Sequence, residues 1–418
     1  MLTASMVGTA VEFYDFYIYA TAASLVFGPL FFPQTSPSAQ LLSSYASFGL
    51  AFLARPLGGA LFGHFGDRVG RKSTLVASLL LMGGSTALIA LLPTYAMVGW
   101  WAPLLLCILR VGQGLGLGGE WSGAALLAVE NAPAGWRGRY GMFPQLGAPV
   151  GFLMANGFFL ILGLLLSPDQ FKAWGWRIPF LASAVLVSLG LWVRLNLAET
   201  PAFAAAMADA PPARVPIAEV FRNHLGRALA GIFAVVACFA LYYLATAFAL
   251  GEATTALGFG KQAFLLAQLG AILFMAVGIV LAGWFTDKLD ARRVLIWGCF
   301  GTILSGAILA PLLGSGSLWL AFVFLSVALL SMGFVYGPLG AWLPGLFPAH
   351  VRYSGASLAF NVGGVLGGAL TPLVAKALAD ELGLVAVGAY LAAAAVISLI
   401  ALMVAGREPA ARALPVET

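Results

Sequence analysis

A charged run, Gly63-His64-Phe65-Gly66-Asp67-Arg68-Val69-Gly70-Arg71-Lys72, separates two apolar stretches, and it has an echo in the second half of the chain. The echo is Gly283-Trp284-Phe285-Thr286-Asp287-Lys288, closed by Arg292-Arg293, and Asp287 follows Asp67 by 220 residues. A second pair supports the duplication: Arg137 follows Pro133, Arg352 follows Pro348, and the two arginines are 215 apart. Between such clusters lie apolar stretches of roughly 20 residues, enough to cross ~30 Å of hydrocarbon as helix. A charged turn repeated at half-length in such a chain predicts two homologous bundles of membrane helices, the architecture of a solute carrier.

Only 9% of the 418 residues are charged and 61% are hydrophobic. A soluble domain carries about 25% charged residues, so a water-solvated surface cannot be built and most of the chain must lie in lipid. Twelve spans are predicted, at about 5–31, 39–63, 73–92, 99–128, 140–166, 176–196, 227–250, 262–284, 293–313, 317–345, 354–377 and 383–405. The expected fold is all-α: a six-helix bundle over 1–196, a cytoplasmic linker over 197–226 with four prolines, and a second six-helix bundle over 227–418. Counted from an intracellular start, fifteen lysines and arginines fall in loops on the starting side and four on the other, with Arg55 and Arg110 inside spans, which accounts for all 21. That bias places both termini of a multi-pass membrane protein in the cytoplasm; the expected membrane is a bacterial inner membrane. The bias also explains the net charge of +5 without nucleic acid. Glu12 and Asp15 interrupt the first apolar run, so it reads as a retained span rather than a cleaved leader. Cys107, Cys238 and Cys299 show no ligand spacing and read as core residues.

Ionisable side chains inside a membrane are costly and are functional candidates. Five stand in predicted spans: Glu12, Asp15, Arg55, Arg110 and Glu120, all in the first half. Glu12 and Asp15 are i,i+3 on one helix face, with Tyr19 a turn beyond; Arg110, Gln113 and Glu120 share a stripe. At ~1.5 Å per residue, Asp15 and Arg55 lie at nearly one depth, so either carboxylate of span one can pair with Arg55. Such a pair could be a permanent brace, or one carboxylate could be a proton site. A low-dielectric setting favours the neutral acid and a nearby guanidinium favours the anion, so a solute that draws the arginine away would promote protonation. Arg110, near the midplane, is either a solute anchor or a structural partner of a carboxylate. The residues Gly63, Asp67, Arg68, Gly70, Arg71, Lys72 and Arg137 of the first half, with Asp287, Lys288 and Arg352 of the second, are expected to form gates, each aspartate capping a helix start or pairing with cations across the halves. Tyr242, Tyr243, Gln268, Tyr336, Trp342 and Asn361 are candidate uncharged liners of the second half, each also readable as ordinary packing.

The Gly63-to-Lys72 run resembles the loop signature of the major facilitator superfamily, and Arg110 to Gly116 is similar to its span-four motif. Within the superfamily the chain is most similar to the metabolite:proton symporters. That closer match rests on Val11-Glu12-Phe13-Tyr14-Asp15-Phe16, Ala54-Arg55-Pro56-Leu57-Gly58-Gly59, Gly118-Gly119-Glu120-Trp121-Ser122-Gly123 and the run from Arg352 to Gly364. The resemblance implies a rocking carrier that moves a small organic acid, or a zwitterionic osmolyte such as proline or betaine, with a proton. The short C-terminal tail speaks against an osmosensory role. Gly147-Ala148-Pro149-Val150-Gly151 partly resembles a motif of exporting antiporters and leaves the direction open. A channel or receptor is the competing class, and no nucleophile–base grouping, P-loop or metal spacing points to an enzyme. The expected partners are a small solute, protons and lipid; the proton gradient takes the place of a cofactor, and the carrier is expected to act as a monomer.

Overall fold

A computed structural model of the protein describes residues 2–33, 36–69, 71–196, 216–348 and 351–405; the side chains of 63–75 also lie outside the described set. Twelve helical rods follow one another: α1 (2–31), α2 (Pro37–Val69), α3 (Arg71–Ile89), α4 (Trp101–Glu130), α5 (Arg137–Leu165), α6 (Ile178–Asn196), α7 (Leu225–Thr255), α8 (Lys261–Lys288), α9 (Ala291–Leu313), α10 (Leu318–Gly345), α11 (Arg352–Leu382) and α12 (Leu384–Val404). Among the described residues there is no strand. Nine rods, α4 to α12, are long and apolar enough to cross a membrane. The first two carry Glu12, Asp15 and Arg55, and α3 offers a shorter apolar stretch, Val76–Ile89.

Twelve passes bring the start and the end of the described chain to one end of the molecule, the near end; the other is the far end. The seam between the halves is made chiefly by α5 against α8 and by α2 against α11. Within each half, α1 packs on α5, α2 on α4, α8 on α10 and α9 on α12. Glycines permit these approaches. A methyl group at Gly58 of α2 would collide with the Leu115 carbonyl of α4, and one at Gly114 with the Ala51 carbonyl of α2. Lipid gives helices no hydrophobic reason to associate, so close packing of small residues supplies the attraction.

The duplication is visible in how the helices are interrupted. A wide π-type turn at Ala23–Phe27 in α1 recurs at Leu244–Phe248 in α7, 221 residues on. The first segment of α4 ends at Leu117 and that of α10 at Tyr336, an offset of 219. Such irregularities free backbone carbonyls that must find donors inside the protein. Gln268 of α8 shows this, giving its amide to Ala245 O (3.0 Å) and Thr246 O (2.9 Å) within the wide turn of α7. It is a backbone cap.

Most of the Gly63-to-Lys72 run is helical: α2 continues to Val69 and α3 begins at Arg71, and Gly70 between them lies outside the described residues. Within the expected linker, 197–226, Pro216–Asn223 forms a helix that packs on α7 and α11 through buried Val220. If close approach sets the α2–α4 packing, Gly58→Val should lower stability by about 1–3 kcal/mol or more through backbone overlap. Gly84→Ala, where a methyl group meets nothing within 4 Å, should be neutral. Thermal unfolding of the purified proteins checks both.

Candidate solute and coupling site

Polar side chains collect in the first half around α1, α3, α4 and α6. Arg110 of α4 is fully buried, and its partners are neutral. Its Nη1 donates to Gln113 Oε1 at 2.7 Å, while Nε and Nη2 reach Phe48 O at 3.4 Å. The guanidinium also sits over the rings of Tyr19 (4.0 Å), Phe16 (4.5 Å) and Phe48 (4.9 Å). Each such contact is worth about 0.5–2 kcal/mol when desolvated, which offsets part of the cost of hiding the charge. Gln113 passes the connection on, its Nε2 donating to Thr86 Oγ1 at 2.7 Å. Tyr19 holds Ser47 at 2.7 Å, and buried Glu120 accepts from Ser78 Oγ at 2.7 Å.

Asp15 is 1% exposed, and neither carboxyl oxygen has a hydrogen-bond partner. The polar groups that face it are the hydroxyls of Thr86 and Ser183, with Glu120 and Tyr14 farther off. Thr86 gives its hydrogen to Met82 O (2.9 Å), and Ser183 Oγ is itself without a partner. Among the described residues no ion pair joins Asp15 to Arg55, one of the two pairings the sequence suggested. Among the described residues the hydrogen bonds of Arg110 go to Gln113 and Phe48 O, not to Glu120 or a carboxylate of α1.

Arg55 of α2 reaches across the seam instead. Its Nε donates to Asn361 Oδ1 of α11 at 3.0 Å, and the guanidinium lies 5.4 Å from the Phe52 ring, 5.6 Å from Phe360 and 6.0 Å from Phe239. Glu12, also buried, stands near enough to act on it electrostatically. Asn361 is fully engaged: Nδ2 donates to Gly118 O at 2.8 Å and to Ser357 Oγ at 3.2 Å. Ser357 Oγ reaches the same carbonyl at 3.3 Å, and Tyr353 Oη donates to Gly119 O. Residues 353, 357 and 361 are four apart, one face of α11. That face therefore supplies donors to the carbonyls released where α4 breaks at Gly118 and Gly119. Trp121 stacks on Phe360 beside them, centroids 3.6 Å apart.

At the near end, Asp287 of α8 caps α5 from the opposite half. It accepts from Gly138 N (2.6 Å), Arg139 N (3.2 Å) and Arg139 Nε (2.6 Å), placing a carboxylate on a helix N-terminus. The cation is Arg139; Arg137, another expected gate residue, is exposed two residues earlier. Arg352 lies 3.8 Å from Glu130, again across the halves, and Lys288 rests 3.7 Å from the Trp284 ring. Gly63 lies within the helical α2. Gly70, and the side chains of Asp67, Arg68, Arg71 and Lys72, lie outside the described residues. At the far end the halves meet through Tyr45 Oη to Ala247 O (2.8 Å), Ser24 Oγ to Ala247 O (3.1 Å) and Gln262 Nε2 to Gly163 O (3.0 Å).

Between the two ends lies a cavity of about 10 Å³, lined by Tyr17, Thr21, Phe152 and Asn156 from one half and Thr246 and Gln268 from the other. It has room for about one water. Tyr17 stacks on Tyr242 at 5.3 Å, and Phe13 meets Tyr336 at 6.4 Å. The hydroxyls of Tyr242 and Tyr336, and Trp342 Nε1, are buried without partners.

Sequence reasoning missed the charges of the second half. Lys376 of α11 is 2% exposed and bonds Glu252 of α7 (3.1 Å) and Asp380 one turn on. The signal was available, since Lys376 falls inside the predicted span 354–377. It is one of the four cations counted on the side opposite the start. Thr86, Ser183 and the Tyr353/Ser357 part of the α11 stripe carried no charge to mark them.

Two six-helix halves joined at both ends around a buried polar band define a secondary transporter. The chain belongs to the major facilitator superfamily: the family model described as "Sugar (and other) transporter" matches residues 1–223. It is 50% identical to the inner membrane metabolite transport protein YhjE of Escherichia coli (strain K12), over 96% of this chain and 93% of that protein. It is 40% identical to the shikimate transporter of the same organism (90% and 86%). A proline/betaine transporter of Salmonella typhimurium is 31% identical (96% and 81%). In fold it is similar to a crystal structure of a D-xylose–proton symporter, with a TM-score of 0.73 at 19% identity, covering 97% of this chain and 96% of that one. The protein is thus a multi-pass membrane transporter of metabolites and not an enzyme.

Removing one partner of a buried ion pair strands the other charge. Lys376→Met should therefore lower stability by about 3–5 kcal/mol, and Lys376→Met with Glu252→Leu should recover most of the loss. Thermal unfolding of the two variants distinguishes this from a pair that contributes nothing.

Proposed function

We propose that this protein is a proton-coupled symporter of a small organic acid, working by alternating exposure of a central site. The observation that carries the reading is Asp15, a deeply buried carboxyl group with no donor to either oxygen. A bare carboxylate in such a place is very costly, whereas the neutral acid is not. In this conformation Asp15 is read as carrying a proton. Thr86 and Ser183 are placed to donate once the proton leaves and the helices shift. The two buried guanidiniums, Arg55 and Arg110, supply the positive charge that selects an acid.

The near end is read as cytoplasmic from its excess of lysine and arginine, and the membrane as a bacterial inner membrane from the likeness to YhjE. A monomer contains both halves of the site. The shikimate transporter is a relative that moves an acid, which supports the substrate class. The proline/betaine relative supports a second reading, a zwitterion whose carboxylate meets the same guanidiniums.

Purified protein in liposomes with an imposed pH gradient should accumulate one or more members of a panel of mono- and dicarboxylates, shikimate included. Accumulation of betaine or proline alone would select the second reading. Asp15→Asn should abolish uphill uptake while leaving solute exchange intact. Unchanged uphill uptake by that variant would remove Asp15 from the coupling role.

A further inference from the structure

We infer that a solute carboxylate binds on Arg55, and that binding there loosens the latch that α11 makes on the break in α4; the inference rests on the solute being an acid. The two buried guanidiniums are not in the same condition. Every nitrogen of Arg110 is engaged, by Gln113 and by Phe48 O. Arg55 uses Nε alone, on Asn361; among the described residues neither of its terminal nitrogens has a hydrogen-bond partner. Those two nitrogens form the fork that fits a carboxylate. The rings of Phe52, Phe239 and Phe360 flank it within 6.0 Å, so a compact acid with an apolar or ring-shaped body suits the place.

Arg55 is also tied to the latch. Asn361 accepts from Arg55 on one side of its carboxamide, and on the other it donates to Gly118 O, where Ser357 assists and Tyr353 holds Gly119 O. A carboxylate on the fork uses nitrogens that Asn361 does not, but the guanidinium has to turn to face the solute, and that turn draws Nε away from Asn361 Oδ1. When Arg55 turns to the solute, Asn361 loses its donor and its grip on the freed carbonyl weakens. A ligand shifts a two-state equilibrium only through contacts that differ between the states, and this shared residue supplies one. The empty carrier stays latched at the near end, and the loaded carrier is released to open there.

Ser122 lies one turn beyond Gly118 in α4 and is buried, so Ser122→Cys reports opening through its rate of reaction with a fluorescent maleimide, measured over the slow background of the native cysteines. The probes are acetate, succinate, citrate, benzoate and glycine betaine, with benzamide as the uncharged control. At least one carboxylate-bearing probe should raise the rate severalfold, and benzamide should not. Adding Arg55→Gln should erase that rise; Arg55→Lys, which keeps the charge and loses the fork, should leave only a weak rise at higher probe concentration. Asn361→Ala should label fast with no probe present. A rise that survives in Arg55→Gln overturns the anchor, and slow labelling of Asn361→Ala overturns the latch. A response to betaine alone that Arg55→Gln abolishes upholds the anchor and rejects the acid reading. If no probe changes the rate, both anchor and acid reading fail, and the latch is judged by Asn361→Ala.

Discussion

Deep in hydrocarbon a polar group has no water to turn to, so an unmatched one is costly and backbone groups above all must find partners inside the protein. That constraint organises this molecule. Its helices are broken or widened at repeated places, and every break releases carbonyls that would be costly if left alone. Gln268 satisfies the wide turn of α7 from a neighbouring helix of its own half. The break in α4 is satisfied from the other half, by Tyr353, Ser357 and Asn361. A backbone requirement in one bundle is thereby met by the other, and the pairing lasts only while the halves are together at that end. Asp287 does the same for the N-terminus of α5. Closure of the near end is thus built from helix-end chemistry, reinforced by charge.

Charged groups divide differently between the halves. In the second half Lys376 lies between Glu252 and Asp380, a self-contained arrangement beside the far-end contact of Tyr45 with Ala247. In the first half the arginines rest on amide and carbonyl dipoles and on aromatic faces, and Asp15 faces the Thr86 and Ser183 hydroxyls with neither oxygen hydrogen-bonded. Neutral partners can be exchanged for a solute at little cost, whereas a buried ion pair cannot be opened without stranding a charge. The division suits a carrier whose first half can change partners while the second half serves as a firm counterpart.

Much of this was legible in the residues alone. Charges at helix ends and apolar length are local properties, so the twelve rods and the duplication could be read directly. Which buried groups meet could not, because that depends on helix rotation and crossing. Arg55 and Asn361 are 306 residues apart and nothing nearby marks either for the other. Asp287 meets Arg139, and the sequence did not say which cation it would take; Arg137, two positions earlier, lies about halfway round the helix. Equal depth made Asp15 and Arg55 look like partners, yet Arg55 turns to α11 while Asp15 faces Thr86 and Ser183. Lys376 was hidden by a span boundary drawn one residue beyond it. Glu252, its partner, lay just past the end set for span seven.

The central claim is that the buried carboxyl of Asp15 holds a proton when the two halves are closed on each other. Infrared difference spectra of the purified protein against Asp15→Asn, at neutral pH and without solute, test it most directly. The account predicts a carboxylic acid carbonyl band in the unaltered protein that is missing from the variant. A carboxylate band in its place would mean that Asp15 is charged in the closed carrier and would contradict the account.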